Sequence, residues 1–288
     1  MTTVHHTPGG TTLLAGRRVA RVGFGAMQLE GGTDRAAAVA VLRAAADLGV
    51  NHIDTAEFYG AANALIREAL HPYPENLALV SKVGAEREGA GLVLAQRPEQ
   101  LRASVEANLT SLRVDSLAVV NLRRGDAPPG IIAEGDQVVD LDSQLAELVA
   151  LRDEGKIGGI GLSNVSVDQL GQALPAGIVC VQNAHSVLDR TAEPVLDVCR
   201  EHDIAWVPFF PLGSAFPGIR KTTEHPAVIA AAARVGATPA QVSLAWLLTH
   251  YTRTLLIPGT GDPDHLAENV AAGAVHLDPD AMAALSSL

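Results

Sequence analysis

Short apolar runs punctuate this chain. Each is followed by a polar or glycine turn and then by a longer stretch whose apolar positions return every three or four residues. The runs predict strands at Gly23–Met27, Asn51–Asp54, Leu77–Lys82, Ser116–Asn121, Ile157–Leu162, Ile178–Gln182, Ile204–Phe209 and Thr254–Pro258. They are too short and too uniformly apolar to keep a solvent face, which places them in a parallel sheet covered by helices. The intervening stretches read as helices with recognisable ends. Thr33 can cap Asp34–Leu48, which Gly49 ends. Over 98–112, Pro98 suits the first turn and Leu101, Val105, Leu109 and Leu112 form one stripe. Ser166 with Gln169 and Thr238 with Gln241 fit capping boxes, and Asp278-Pro279 opens a short last helix. Ahead of the repeat, Thr11–Leu14 and Val19–Val22 flank a turn and predict a hairpin. Eight strand–helix phrases in one chain predict a single domain over 1–288, an α/β (β/α)8 TIM barrel with an N-terminal β-hairpin. The alternative, an open doubly wound sheet, lacks a GxGxxG after the first strand.

In a parallel barrel the chemistry sits where strands end. Those ends are Asp54, Lys82, Asn121, Ser163-Asn164, Gln182-Asn183, Phe209-Phe210 and Gly259-Thr260-Gly261. If the second and third strands are neighbours, Asp54, Tyr59 and Lys82 converge. An ammonium beside a phenol favours the phenolate, making tyrosine a usable proton donor, and a carboxylate keeps the ammonium charged. The 21 basic residues include only three lysines, so 18 are arginine. A lysine at a strand end therefore reads as a chosen point charge, against the plainer reading of a snorkelling lysine at a sheet edge. Several carboxamides on one rim can fix the amide of a nicotinamide ring, with Phe209 as a stacking face. Gly259-Thr260-Gly261 leads into a helix opened by Asp262-Pro263, whose N–H groups suit a nucleotide phosphate. The alternative there is a plain glycine turn capped by Asp262.

A net charge of −11 argues against nucleic acid or an anionic membrane as partner. Hydrophobic residues make up 48%, enough for a large core. Cys180 and Cys199 show no metal-type spacing, and no metal is expected. The reduced setting this implies, with no basic and apolar leader and no apolar run near the ~18 residues of a membrane helix, predicts a cytoplasmic protein. GxxxxGK[ST], HExxH and GxSxG are all absent.

Taken together, GFGAM at 23–27, HIDTAEFYG at 52–60, LVSKVG at 79–84, GKIGGIGLSN at 155–164, VQN at 181–183, FFPLGS at 209–214 and IPGTGDPDHLAEN at 257–269 resemble the aldo–keto reductase superfamily over nearly the whole chain. The resemblance implies a (β/α)8 barrel binding a nicotinamide dinucleotide across the strand ends, NADPH in preference to NADH. It implies Tyr59 as proton donor to a small-molecule carbonyl, with Lys82 and Asp54 tuning it. Ser163, Asn164 and Gln182 would hold the carboxamide, and Phe209 would stack on the ring. Gly25, Ala26 and Met27 would lie against the cofactor, and Leu212, Gly213 and Ser214 would fold over the pyrophosphate. Gly259, Thr260, Gly261, His265, Glu268 and Asn269 would surround the adenosine phosphate, with Gly259 and His265 where many members carry lysine and arginine. Asn121 stands where the family usually has histidine. Its NH2 can donate to a developing oxyanion but cannot share a proton. The potassium-channel β subunits of the same superfamily also carry asparagine there, which keeps a slow or vestigial, redox-responsive reductase as the rival reading. A lysine Schiff-base lyase is a third. The expected substrate pocket comprises Phe24, Met27, Phe58, Asn121, Arg123, Phe209 and the loop 123–140, with Arg123 and Arg124 either receiving an acidic substrate or, at least as readily, forming a surface pair that faces solvent.

Overall fold

A computed structural model describes residues 7–29, 34–89, 91–128, 130–214 and 219–288. Seven parallel strands form one sheet in chain order. They are Phe24–Gly25, His52–Asp54, Ala78–Val83, Val119–Arg123, Ile160–Ser163, Ile178–Gln182 and Ala205–Trp206. The eighth stretch closes the ring by single parallel bridges on both sides, Trp206 with Thr254 and Val22 with Leu256. Leu255 N–H donates to the Trp206 carbonyl and Leu256 N–H to that of Arg21, both at 2.8 Å. The fold is thus the expected barrel, with strands shorter than their apolar runs at the first, second, fourth, fifth and seventh positions.

Two apolar layers follow from strand alternation. One set of side chains, including Val80, Val119, Cys180, Ala205, Val207 and Leu255, fills the barrel. The other, including Phe24, Ile53, Leu79, Val120, Leu162 and Val181, packs outward with the helices. The N-terminal hairpin pairs Thr11–Leu14 with Arg17–Ala20, two residues earlier than the apolar pattern suggests. Ala15 and Gly16 both take positive φ, so the turn has two residues. Leu14 and Val19 join the interior layer and stopper the barrel's lower end.

Helix ends follow local chemistry. Pro98–Leu112 forms with its stripe turned inward, and both anticipated capping boxes close. Arg35–Asp47 is capped by Asp34, whose carboxylate accepts from Ala36 N–H; Thr33 lies outside the described residues. A second hairpin, Ala85–Glu88 with Gly91–Leu94, is inserted directly after the third barrel strand. Among the described residues no single helix is long and apolar enough to cross a membrane.

Candidate active site

Parallel register builds the site. Asp54 ends the second strand and pairs with Val80 of the third, two residues before Lys82; Lys82 lies opposite Asn121 of the fourth. Asp54, Lys82 and Asn121 are therefore brought together at the carboxyl end of the barrel. The Lys82 ammonium forms a salt bridge with Asp54, and both side chains are buried. The other Asp54 oxygen accepts from Gln182 Nε2 at 2.7 Å, reaching across from the sixth strand. Tyr59, on the turn after the second strand, places its ring centroid 5.2 Å from Lys82 Nζ. Phe58 meets that ring edge-on at 5.2 Å and holds it. Burial alone would lower the Lys82 ammonium. The Asp54 carboxylate, and after it Tyr59, outweigh burial and hold the group above the ordinary lysine range.

Asn121 is fully buried and turned into the barrel. Its Oδ1 accepts from the Cys180 thiol at 3.3 Å, and its NH2 lies 3.5 Å from the Ser81 carbonyl, the outer limit of a hydrogen bond. Gly161 makes room for it, since a Cβ there would stand 2.0 Å from Asn121 Oδ1 and 2.7 Å from Cys180 Sγ. Nothing in the residue pattern singles out this glycine, because the need for it arises only across strands. Below lies His52, which faces the interior and which burial pushes down to about 4, partly offset by the backbone of Ala20. It shares a cavity of about 10 Å³, room for roughly one water, with Asp54, Gln182 and Cys180.

Ser163 Oγ and Gln182 Oε1 are buried without a hydrogen-bond partner. A hydroxyl and an amide carbonyl left in this way at the mouth fit a bound carboxamide, which offers both a donor and an acceptor. Asn164 is differently placed. It sits at φ 60°, and its NH2 donates to the Ala127 carbonyl at 2.6 Å, tying the loop after the fourth strand. Asn183 clamps the backbone of Val165 in both directions and is a structural residue.

Around the rim, Phe209 is half-buried, with Phe210 edge-on at 5.1 Å. Leu212, Gly213 and Ser214 follow, half-buried, with Gly213 at φ 84° against Arg220. Gly25 and Gly259 touch backbone to backbone; Ala26 is fully buried and Met27 half-buried. The helix Pro263–Ala271 is not the open anion site expected. The Asp262 carboxylate accepts from the N–H groups of Asp264 at 2.8 Å and His265 at 3.1 Å, and Thr260 Oγ1 accepts from Asp262 N–H at 3.0 Å. The turn chemistry that starts the helix also occupies its donors. Glu268 accepts from the Thr238 hydroxyl of a neighbouring cap, Asn269 is buried, and the His265 side chain is exposed.

Two expectations for the substrate wall are corrected. Phe24 is fully buried among the outward-facing residues, because it lies one residue out of phase with the interior positions. Phe58 is buried in the same layer and acts on Tyr59 instead. Arg124 is also no substrate receiver. It is 7% exposed, pairs with Asp126 through two nitrogens and donates to Val139 and Gln144. Gln96, which no motif marks, donates to the carbonyls of Gly84 and Arg123 and locks the third and fourth strand ends together.

Away from the mouth, His185, Glu193 and His250 bring potential ligand atoms within 4.8 Å of one another. Trp206 Nε1 donates to His185 Nδ1 at 3.0 Å, so neutral His185 carries its proton on Nε2 and offers no lone pair there. Arg190 grips Glu193 with two nitrogens. This is a packed polar cluster, not a metal centre.

The aldo/keto reductase family profile matches residues 21–288. A pyridoxine 4-dehydrogenase of Escherichia coli is 42% identical over 96% of this chain and 98% of its own length. An uncharacterised oxidoreductase of Schizosaccharomyces pombe is 32% identical over 98% and 90% of the two chains. Among solved structures, an aldo-keto reductase from Klebsiella pneumoniae in complex with NADPH superposes with a TM-score of 0.81 at 25% identity, covering 96% of this chain and 94% of that one.

Proposed function

The chain belongs to the aldo/keto reductase family of NADP-dependent oxidoreductases, and from that premise we propose that it reduces a small-molecule aldehyde or ketone to the alcohol with Tyr59 as general acid. The observation that carries this reading is the meeting of Tyr59, Lys82 and Asp54 at the barrel mouth. The whole chain, 1–288, is read as one catalytic domain.

NADPH, when bound, supplies the hydride to the carbonyl carbon. The two electrons leave the carbonyl oxygen needing a proton, which Tyr59 provides. Lys82 stays an ammonium because Asp54 neutralises its burial, and that positive charge stabilises the tyrosinate left behind. The same pairing argues against a Schiff-base role, which needs an uncharged amine. Ser163 and Gln182 are assigned to the carboxamide on the strength of their unpartnered oxygens. Asn164 is assigned to the same group through its carboxamide oxygen, since its NH2 holds the loop. Phe209 would stack on the ring, and Gly25, Ala26, Met27, Leu212, Gly213 and Ser214 would line the dinucleotide. Gly259, Thr260, Gly261, His265, Glu268 and Asn269 would surround its adenosine end.

Asn121 is assigned as the oxyanion donor. Its bond to the Ser81 carbonyl is long and cheap to exchange for a substrate oxygen. The inward turn of the same residue favours the second reading, a cofactor-binding protein with slow turnover. NADPH consumption against aldehydes and ketones, beside Asn121→His, separates the two. Pyridoxal heads the panel, with pyridoxine and NADP+ as the reverse reaction, because the Escherichia coli relative is a pyridoxine 4-dehydrogenase. Turnover of a panel member supports the first reading. Tight NADPH binding without reduction of any carbonyl leaves the second.

A further inference from the structure

Arg123 follows Asn121 by two residues on the fourth barrel strand and so shares its inward side, one layer nearer the opening. Its guanidinium carbon lies 5.9 Å from the centroid of Phe209, at the end of the seventh strand. Those strands are three places apart in the ring. A side chain rooted on one and resting over the other reaches across the mouth. The loop above it comes close: a Cβ on Gly130 would stand 2.7 Å from Arg123 Nη2. Tyr59 is close enough to act electrostatically on the same guanidinium, partly offsetting the lowering that burial imposes.

Position singles out Arg123: it stands on the inward side of the strand end beside Phe209 and Tyr59, whereas Lys82 lies deeper against Asp54 and Arg124 is turned to Asp126. With a net charge of −11, the protein as a whole repels anions, so an anionic substrate needs a local cation. A guanidinium offers five donors in a planar fork suited to paired oxygens.

We propose that Arg123 is a specificity-determining residue that receives an anionic oxygen carried next to the reducible carbonyl. The substrate class is then a 2-oxo acid, with a carboxylate, or an aromatic aldehyde with an ortho phenolate, as in pyridoxal. This rests on the reading of the mouth as a carbonyl-reducing site.

The test compares each anionic substrate with its neutral methylated counterpart. Phenylglyoxylate is paired with methyl phenylglyoxylate, and pyridoxal with 3-O-methylpyridoxal. NADPH oxidation gives kcat/KM for all four in wild type, Arg123→Leu and Arg123→Lys. Wild type prefers the anionic member of at least one pair, and that pair identifies the oxygen. In Arg123→Leu the anionic-to-neutral ratio falls roughly 10- to 100-fold, the worth of a charged hydrogen bond. Arg123→Lys restores part of it, keeping charge but not the fork. Arg123→Gln reads the same ratio if the leucine variant melts early. Equal use of both members of both pairs by wild type, or a parallel loss of both in the variants, overturns the proposal while leaving the reductase intact. Failure of all four carbonyls to oxidise NADPH overturns the reductase reading itself, and this proposal with it.

Discussion

Asp54→Asn tests the pair on which the site is built. Lys82 and Asp54 are 7% and 3% exposed at the side chain, so neither charge has water to fall back on. Removing one partner of such a pair typically costs about 3–5 kcal/mol, because the remaining charge stays buried. At roughly 2–4 °C per kcal/mol for a chain of this size, the melting temperature should drop by ~6–20 °C. The sign of the pH dependence also changes. In wild type the raised Lys82 group adds stability that is complete below its unfolded value of 10.5 and is lost as pH rises through the folded value. In Asp54→Asn burial is the dominant influence on Lys82 and disfavours the ammonium. The folded chain then binds fewer protons than the unfolded one below pH 10.5, and stability rises with pH. Urea unfolding at pH 7 and 9.5 should show Asp54→Asn gaining on wild type at the higher pH. Asp54→Asn/Lys82→Met, which removes both charges, should recover most of the lost stability at pH 7 while remaining inactive. A loss under ~1 kcal/mol, or a double variant no more stable than Asp54→Asn, would show that the pair is not a desolvated ion pair.

Three further outcomes follow from the geometry. Gly161→Ala places a methyl against Asn121 and Cys180 and should cost roughly 1–3 kcal/mol with a fall in kcat; an unchanged melt would mean the interior yields there. His52 titrates at about 4 when folded and 6.5 when unfolded, so the native state binds fewer protons between those values and stability is lost as pH falls through that window. His52→Leu should therefore flatten the acid side of the stability curve by about 2–3 kcal/mol between pH 7 and 4, and an unaltered slope would assign the acid loss elsewhere. Asp262→Ala frees the Asp264 and His265 N–H groups and removes a negative charge. If a 2′-phosphate docks there, fluorescence titration should show NADPH tightening about 2- to 5-fold relative to NADH, at ~1 kcal/mol of helix stability. Equal change for both cofactors would move the phosphate away from this helix.

The barrel was legible because eight apolar runs without a polar face leave few other ways to be buried, and because strand ends mark the functional rim. Asp54, Tyr59 and Lys82 could be grouped since two adjacent parallel strands in simple register bring them together. What stayed hidden depends on contacts between distant positions. Phe24 looks like substrate wall in sequence because being near the rim does not tell which way a residue faces; its register with Ile53 turns it outward. The hairpin 85–94 has no sequence signal because Glu86, Arg87 and Glu88 are exposed and charged and show no apolar alternation. Asp262 could be seen as a cap, but only coordinates show that it takes the donors an anion would need. Arg123 and Arg124 look alike in sequence and part company only through Asp126 on one side and Phe209 on the other.

The proton-donor assignment is tested most directly by one substitution, Tyr59→Phe, assayed by NADPH oxidation with a carbonyl that wild type reduces. The ring and its contact with Phe58 survive, and only the hydroxyl over Lys82 is lost. Carbonyl reduction should fall by ~10²–10⁴-fold while NADPH still binds with wild-type affinity. Turnover within a few-fold of wild type would contradict the account, since the proton would then be coming from somewhere else.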